Sequence, residues 1–178
     1  MMKKQHASAG FTLIEIMVVI VIIMILVGIM VGASKYAHIK AATSRAQAEI
    51  AMMENALETY KSDNGAYPLS PGPRTTAVAG GVAGAVEINN STTLYNALTG
   101  AGGGKAYMAF KPNQLKTTGG ITYILDPFGS PYNYYCPPGH ANQINAATFD
   151  LWSYGPDNMW GTVGTVNYDW DNITNWKQ

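Results

Sequence analysis

The sequence predicts an α+β protein in which one long N-terminal helix packs on a small antiparallel β-sheet. Three observations lead to this prediction. Residues 11–33 are almost entirely apolar, residues 34–65 continue them with an apolar stripe at helical spacing, and short alternating segments follow in the second half of the chain. An apolar run of this length suits a membrane, a stripe suits a helix packed on one side, and alternation suits strands.

The apolar run carries one charged residue, Glu15. At 1.5 Å per residue, residues 11–33 would extend about 34 Å as a helix, which matches a hydrocarbon core of about 30 Å. The run is rich in β-branched residues, which favour strands in water. In lipid an isolated strand would leave its backbone groups unpaired, so we expect a membrane-spanning helix.

Glu15 is the most informative residue of the run, because it lies five residues after Gly10 where the run begins. An acidic side chain at the centre of a bilayer costs about 2.5–3.5 kcal/mol, so one that is retained there indicates a function. Cleavage after Gly10 would free an amine on Phe11 with which this carboxylate can pair. Lys3 and Lys4 predict a cytoplasmic N-terminus. An uncleaved signal anchor is the alternative, and it explains the lysines but not Glu15.

The amphipathic continuation, residues 34–65, has apolar or small residues at alternating spacings of three and four. These residues are Tyr36, Ile39, Thr43, Ala46, Ile50, Met53, Leu57 and Tyr60. They predict that the same helix continues and is buried along one face. A coiled coil is the alternative, but the stripe covers fewer than four heptads. Gly65 suits the left-handed position just beyond a helix end.

The second half of the chain predicts loops and strands. Residues 66–125 are expected to form a variable loop region with one short helix at 91–98, because residues 69–104 are rich in Gly, Ala, Thr, Ser and Pro. Strands are expected at residues 121–126, 132–136 and 149–154, and we expect all three in one antiparallel sheet on the helix.

Composition argues against several functional classes. Eleven basic and eleven acidic residues balance, so there is no basic face for a nucleic acid and no nucleic-acid partner is expected. Cys136 is the only cysteine, which rules out an intramolecular disulfide. The three histidines are scattered, and no nucleophile–base–acid set is recognisable. We therefore expect a protein that is not an enzyme; a membrane-anchored, calcium-dependent enzyme is the alternative from another class.

The C-terminal residues 153–176 are acidic on a chain of low charge. Calcium takes six to eight oxygen ligands, and Asp157, Asp169, Asp171 and Asn172 could supply the side-chain part. The spacing is not that of an EF-hand. A polar surface loop remains the alternative on this evidence alone.

Three segments resemble one family. Residues 10–20 are similar to the type IV prepilin junction and to the N-terminus of the major pseudopilins of type II secretion, and residues 54–68 and 126–132 resemble the helix end and the Asp-Pro-Trp-Gly turn of those proteins. The resemblance implies a type IV pilin-like fold. It also implies that prepilin peptidase cuts between Gly10 and Phe11, that Phe11 is methylated, and that Glu15 acts in assembly.

The resemblance implies a structural subunit of a type II secretion pseudopilus, which polymerises to drive protein export across the outer membrane. A type IV pilus subunit is the alternative. The implied partners are further copies of the chain in a helical homopolymer, prepilin peptidase, the inner-membrane assembly platform, minor pseudopilins and the membrane. The expected location is the inner membrane, with a single span, a cytoplasmic N-terminus and a periplasmic C-terminal domain. The expected regions are a leader at 1–10, a filament-core helix at 11–33, an amphipathic helix at 34–65, a variable loop region at 66–125 and a sheet with an acidic loop at 126–178.

The resemblance also implies calcium, since major pseudopilins bind it in a similar loop. Asp157 and Asp171 would be side-chain ligands, with backbone carbonyls from Tyr154 and Met159. Two departures are present: Asn172 stands where the family has a second acidic residue, and residues 163–168 look like extra loop. Asp169 is the expected replacement for the missing carboxylate.

Overall fold

The computed structural model describes residues 10–71, 77–78, 85–136, 143–145, 147–163, 166–167 and 171–176. Its α+β architecture, a long N-terminal helix with small antiparallel sheets, confirms the predicted fold class. The elements are α1 (Leu13–Asn64), β1 (Ala77–Val78), α2 (Ala85–Thr99), the 3-10 helix η1 (Pro112–Gln114), β2 (Leu115–Thr118), β3 (Ile121–Ile124), β4 (Asn133–Tyr135), β5 (Asp150–Ser153), β6 (Trp160–Val163), β7 (Val166–Asn167) and β8 (Ile173–Thr174).

Helix α1 is a single element of 52 residues that continues through the change from apolar to amphipathic composition. It ends where the sequence predicts. Gly65 has a φ of 80°, and its amide donates to the carbonyl of Lys61 at 2.7 Å. A residue with a side chain is strained at such a φ, so glycine there allows the chain to leave the helix.

The chain divides into two compact units, Met1–Lys40 and Ala41–Gln178. In the first unit, every large apolar side chain between Leu13 and Met30 is at least 45% exposed. Water would disfavour such a surface strongly, since burying one aliphatic side chain is worth about 1.5–3 kcal/mol. Helix α1 is long and apolar enough to cross a membrane, with a mean hydropathy of 3.2 over its most apolar window.

In the second unit the predicted apolar stripe of α1 is buried. Ala46, Ile50, Met53 and Leu57 are all at most 3% exposed, and they follow the predicted spacing. The stripe prediction fails for its first two members, because Tyr36 is 70% and Ile39 is 45% exposed and both belong to the first unit. Burial along α1 therefore begins about one turn into the second unit.

One charged residue, Glu49, is buried in the middle of this stripe. Its Oε1 accepts from Arg45 Nε at 2.7 Å and from Gln114 Nε2 at 2.8 Å, and its Oε2 accepts from the Tyr132 hydroxyl at 2.7 Å. A buried carboxylate is tolerated when it is paired and hydrogen-bonded. These bonds link α1 to η1 and to the start of β4.

The segment expected to be mainly loop contains a 15-residue helix, α2, and the β2–β3 hairpin. The helix is longer than the expected 91–98 because its buried face is partly polar, so hydrophobic periodicity underestimates it. Ser91 lies on that face, where its Oγ accepts the Ile124 amide at 3.1 Å. Leu94 and Leu98 complete the buried face of α2.

The predicted strands form, but they do not share one sheet. The first predicted strand, β3, pairs with β2 in a separate hairpin, whereas β4, β5 and β8 form a three-stranded antiparallel sheet. A single bridge between Leu125 and Pro131 connects the end of β3 to the start of β4. The sequence did not indicate β2 because its residues are mostly polar and exposed. Strands β1, β6 and β7 form a further small antiparallel sheet.

The main core of the second unit lies where α1, α2 and the β4–β5–β8 sheet meet. Its buried members are Ala46, Ile50, Met53, Ala56, Leu57, Tyr67, Leu94, Leu98, Ile124, Tyr132, Tyr134, Cys136, Phe149, Leu151 and Ile173. Most aromatic residues here serve packing: the rings of Tyr67 and Phe149, for example, meet edge to face at 4.9 Å. Cys136 is a buried free thiol among them.

We expect Glu49→Ala to destabilise the folded protein by about 3 kcal/mol, because it leaves two buried donors without their acceptor. Urea unfolding of the full chain in detergent, followed by tryptophan fluorescence, measures this change, since all four tryptophans lie beyond residue 150. The matched control is Gln47→Ala on the exposed face of α1, where we expect less than about 0.5 kcal/mol. Equal effects of the two substitutions would contradict the role given to Glu49.

Candidate functional site

Two candidate sites emerge, one in each unit, and the first is the N-terminal end of α1. Gly10 and Phe11 precede the helix and lie outside any helix or strand, and both are exposed. The Phe11 side chain is 81% exposed, and no atom lies within 4 Å of the position that a Cβ on Gly10 would take. The peptide bond between these residues is therefore open to an enzyme.

Glu15 and Thr12 form a capping box at this end of the helix. The Thr12 amide and the Thr12 hydroxyl both donate to Glu15 Oε2 at 2.8 Å, and the Glu15 amide donates to Thr12 Oγ1 at 3.3 Å. This arrangement satisfies amides that the first turn of a helix leaves unpaired. A carboxylate there also interacts favourably with the helix dipole.

The capping box gives Glu15 a role within a single chain that sequence reasoning missed. The signal was present, because Thr12-Leu13-Ile14-Glu15 follows the Thr-x-x-Glu capping pattern. The expected pairing of Glu15 with the Phe11 amine of another copy remains a prediction. Both donors from Thr12 contact Oε2, so Oε1 can accept a bond from a second group.

The second site lies in the acidic segment between β5 and β8, which also contains β6 and β7 and which we call the acidic loop; Asp157 and Asp171 lie together in it. The Asp157 amide donates to Asp171 Oδ2 at 3.3 Å, and Asp157 Oδ1 accepts from the Met159 amide at 2.8 Å. Asp171 Oδ1 is buried and accepts no hydrogen bond from the part of the chain that the structure describes. A buried carboxylate oxygen without a donor from the chain can accept a hydrogen bond from a water molecule or contact a cation.

The backbone around Asp157 is shaped to bring the two loop segments close. Gly155 has a φ of 73°, and a Cβ there would collide with the backbone carbonyl of Asp171. Asn158 has a φ of 56°, which asparagine tolerates better than most residues. Gly155 is therefore required both by its conformation and by the approach of Asp171.

The turn before β4 supports this loop through buried polar contacts. Asp126 Oδ1 accepts the amides of Phe128 and Ser130, and its Oδ2 accepts the Ser153 hydroxyl at 2.6 Å. Ser153 Oγ in turn accepts a hydrogen bond from the Gly155 amide at 3.0 Å. These contacts fix the position of the start of the acidic loop. The sequence predicted the turn at residues 126–132 but not these contacts.

A second bond joins the same turn to the loop, since the Ser130 hydroxyl donates to Asn158 Oδ1 at 2.8 Å. Burial raises the pKa of Asp126 above its ordinary value, although the hydrogen bonds from Ser153 and the turn amides oppose the change. The turn and the acidic loop thus form one polar structure.

Electrostatics in the loop disfavour two charged carboxylates. Burial, together with the negative charge of the neighbouring Asp157, raises the pKa of Asp171 to about 6. No ion pair reaches either side chain from the described residues. A cation between these carboxylates would remove the repulsion and lower the pKa of Asp171.

The remaining residues of the expected calcium site are partly accounted for. Tyr154 is buried, and its hydroxyl donates to Asn133 Oδ1 at 3.1 Å, so only its backbone is available to a ligand. Asn172 directly follows Asp171 and is half-buried. Asp169 lies outside the described residues. Within those residues no three His, Cys, Asp or Glu side chains cluster, so a metal here would need carbonyl oxygens.

Comparison with known proteins gives a consistent result at both ends of the chain. The prokaryotic N-terminal methylation motif matches residues 5–31. Type II secretion system core protein G of Escherichia coli (strain K12) is 31% identical over 175 residues, which cover 98% of this chain and 95% of that protein. The protein of the same name from Aeromonas hydrophila is 32% identical over 99% of this chain and 96% of its own length. The one from Pseudomonas aeruginosa is 32% identical over 97% and 98%, respectively.

The raised pKa of Asp171 predicts how metal-free stability depends on pH. The folded chain holds a proton on Asp171 up to about pH 6, whereas the ordinary value is 3.8, so the folded state binds more protons between these values. Stability from this group is therefore full below about pH 4 and is lost as the pH rises through about 6. In a chelator, the melting temperature of Asp171→Asn minus that of wild type should therefore increase as the pH rises from 4.5 to 7.5.

Thermal melts of the full chain in detergent test this difference. The control is Asp63→Asn, because Asp63 is an exposed carboxylate whose pKa is lowered by its hydrogen bond to Lys105. Asp63 is already ionised across this pH range, so the melting temperature of Asp63→Asn minus that of wild type should not increase with pH. A flat or falling difference for Asp171→Asn would show that the two loop carboxylates do not oppose each other.

Proposed function

Because this chain belongs to the type II secretion system core protein G family, the major pseudopilins, we propose that it is a structural subunit that is processed and then polymerised into a pseudopilus that drives protein export across the outer membrane. The observation that carries this proposal is the near full-length similarity to the relatives named core protein G. A match limited to residues 5–31 would suit a type IV pilus subunit equally well.

We propose that prepilin peptidase cleaves between Gly10 and Phe11 and that the new amine on Phe11 is methylated. The methylation motif supports this, since its match spans the junction. The exposure of both residues also supports it, because a protease needs the bond free of packing. The apolar helix that follows would then hold the processed chain in the inner membrane until assembly.

We propose that Glu15 pairs with the Phe11 amine of a neighbouring copy during assembly. The capping box keeps the carboxylate hydrogen-bonded in a single chain, so Glu15 need not be an unpaired charge before assembly. A neighbouring amine would approach the Oε1 oxygen, which Thr12 leaves free to accept. Pairing offsets much of the cost of burying both charges in an apolar filament core.

The proposed topology is a single span with a cytoplasmic N-terminus and a periplasmic C-terminal domain. In this arrangement the residues after α1 would be folded on the exported side, where the growing filament is built. The proposed partners are further copies of the chain, minor pseudopilins and the inner-membrane assembly platform. None of these roles requires catalysis by the chain.

We expect Glu15→Leu to remain a processed membrane protein that does not enter filaments. Glu15→Gln is the matched control for capping, because its amide oxygen can still accept from Thr12 but cannot form an ion pair. If pairing drives assembly, both variants should lose filaments. If only the helix cap matters, Glu15→Gln should assemble as wild type does.

Filament yield in the producing cell, measured by shearing and electron microscopy, tests this prediction together with intact-mass analysis of the membrane fraction. The mass should correspond to a chain that begins at methylated Phe11 in wild type and in both variants. A mature chain that still begins at Met1 would contradict processing, whatever the filament yield.

We also propose that the acidic loop binds calcium through the side chains of Asp157 and Asp171. Two observations support the fit: the donorless Asp171 Oδ1 and the raised pKa of this carboxylate beside Asp157. Hard carboxylate and carbonyl oxygens on an irregular loop suit calcium. The other proposed contributors are the backbone carbonyls of Tyr154 and Met159, the amide oxygen of Asn172, and Asp169.

When bound, calcium would supply positive charge that neutralises the two carboxylates. The residues of the chain would do the rest. Gly155 permits the close approach of Asp171, and the Ser153 and Ser130 contacts hold the loop against the Asp126 turn. The loop would then be fixed at both ends, at β5 and at β8.

We expect the full chain to melt at a higher temperature with calcium than with a chelator. Binding to the folded form alone stabilises by about 2.7 kcal/mol at a hundredfold excess over Kd, or about 5–10 °C for a domain of this size. Asp157→Asn should abolish the difference, and the exposed control Asp63→Asn should keep it. Magnesium should substitute poorly, because it demands stricter geometry. Equal melting temperatures with calcium and chelator would make the loop an ordinary polar surface.

A further inference from the structure

A short basic segment follows the apolar part of α1. Lys35, His38 and Lys40 all lie on exposed turns of the helix, together with Tyr36, which is 70% exposed. Between Glu15 and Glu49 the chain has no acidic residue. The segment is therefore a positively charged band around a helix with no carboxylate nearby in sequence.

The two lysines of this band, Lys35 and Lys40, have no ion-pair partner among the residues that the structure describes. Among the described residues, the ion pairs are Arg45 with Glu49 and Lys105 with Asp63, and neither Lys35 nor Lys40 takes part in one. The first carboxylate after the band is already occupied, because Glu49 is buried and accepts three hydrogen bonds. Within the part of the chain that the structure describes, Lys35 and Lys40 form no ion pair that stabilises the fold, so they are available to an external anion.

The position of the band along α1 indicates which kind of anion it would bind. If the apolar residues from Leu13 onward cross a hydrocarbon core of about 30 Å, about 20 residues are used at 1.5 Å each. The next 5–8 Å of helix then lie in the headgroup layer, which corresponds to about five residues and includes Lys35 and Tyr36. Lys40 follows about one turn later, and its long side chain can extend back toward the same layer. Tyrosine is enriched at this depth, since its ring is apolar and its hydroxyl is polar.

The sign of the charge adds to this argument. Basic residues that flank a membrane span are favoured on the cytoplasmic side, so Lys35 and Lys40 on the exported side run against the general bias. Long lysine side chains at a helix end can extend toward the interface and contact phosphate groups. A local attraction to anionic headgroups would account for two unpaired lysines there.

We propose that Lys35 and Lys40, with Tyr36 between them, bind the phosphate groups of anionic lipids at the membrane surface. This headgroup clamp rests on the proposed membrane insertion of α1. It would fix the depth of the stored subunit in the bilayer. It would also have to be released when the subunit leaves the membrane for the filament, so anionic lipid would favour the stored state.

Lipid selection by the full chain tests the clamp. The chain is reconstituted in vesicles of equal parts phosphatidylcholine and phosphatidylglycerol, extracted in mild detergent, and its bound lipids are identified by native mass spectrometry. Wild type should retain phosphatidylglycerol in preference to phosphatidylcholine. Lys35→Gln/Lys40→Gln should reduce that preference by about fivefold for each lysine, and added salt should reduce it in wild type.

The control Lys111→Gln/Lys116→Gln removes the same charge from exposed positions in the second unit and should keep the preference. Equal loss in both variants, or no preference in wild type, would overturn the clamp. So would a Lys35→Gln/Lys40→Gln variant that keeps its lipid preference but loses self-association, since the lysines would then bind another copy.

Flotation with vesicles of pure phosphatidylcholine separates this inference from the proposal on which it rests. Wild type and both variants should float equally, because insertion depends on the apolar helix. If they float without lipid selection, only the clamp is wrong. If none floats, membrane insertion itself is wrong and the clamp is overturned with it.

Discussion

The second unit is organised around a buried negative charge on α1. Glu49 lies in the same stripe as Ile50 and Met53, and it must be neutralised where those side chains are packed. Its donors come from three places in the chain: Arg45 on the same helix, Gln114 just before β2, and Tyr132 just before β4. A hydrophobic surface alone would tolerate several packing angles. A carboxylate with three directed bonds favours one arrangement of hairpin and sheet on the helix.

A second buried carboxylate, Asp126, performs a related task for the acidic loop. It closes its own turn and accepts the Ser153 hydroxyl, which in turn holds the Gly155 amide. Both carboxylate oxygens of Glu49 and both of Asp126 therefore accept hydrogen bonds from the chain. Asp171 differs, since one of its oxygens is buried without a donor. That contrast within one small domain is why we propose a cation for the loop and not for the other buried acids.

The sequence predicted a helix or strand correctly wherever its buried residues are apolar and recur at the regular spacing of that element. The length of α1, its end at Gly65 and three of the strands could be predicted because apolar residues mark the buried face. The length of helix α2 was underestimated, because its buried face includes the polar residues Asn90 and Ser91, which a search for regularly spaced apolar residues does not detect. Strand β2 was missed for the opposite reason, since a polar, exposed strand pairs through its backbone and leaves no pattern in its side chains.

The candidate sites show the same division. Gly10, Phe11 and Glu15 could be proposed as a candidate site because a carboxylate in an apolar run is costly and therefore conspicuous.

The supporting residues of the acidic loop could not be identified in this way. Ser130 and Ser153 lie more than twenty residues apart in sequence, and a serine carries no signal of the residue it will contact. Only the folding of the Asp126 turn against β5 brings them to the same loop. Long-range polar contacts of this kind depend on the tertiary structure and have no local signature.

The distribution of internal contacts also distinguishes surfaces that stabilise the chain from surfaces that serve other molecules. From Ala41 onward, the buried acids Glu49 and Asp126 have partners within the chain, and even the exposed Asp63 is paired with Lys105. Before that point, the apolar side chains are uncovered and Lys35 has no ion pair with any described residue. A fold of marginal stability gains nothing from groups that contact nothing in it. The exposed apolar surface and the lysines of residues 13–40 therefore point to contacts outside the single chain, for which we propose lipid before assembly and neighbouring copies afterwards.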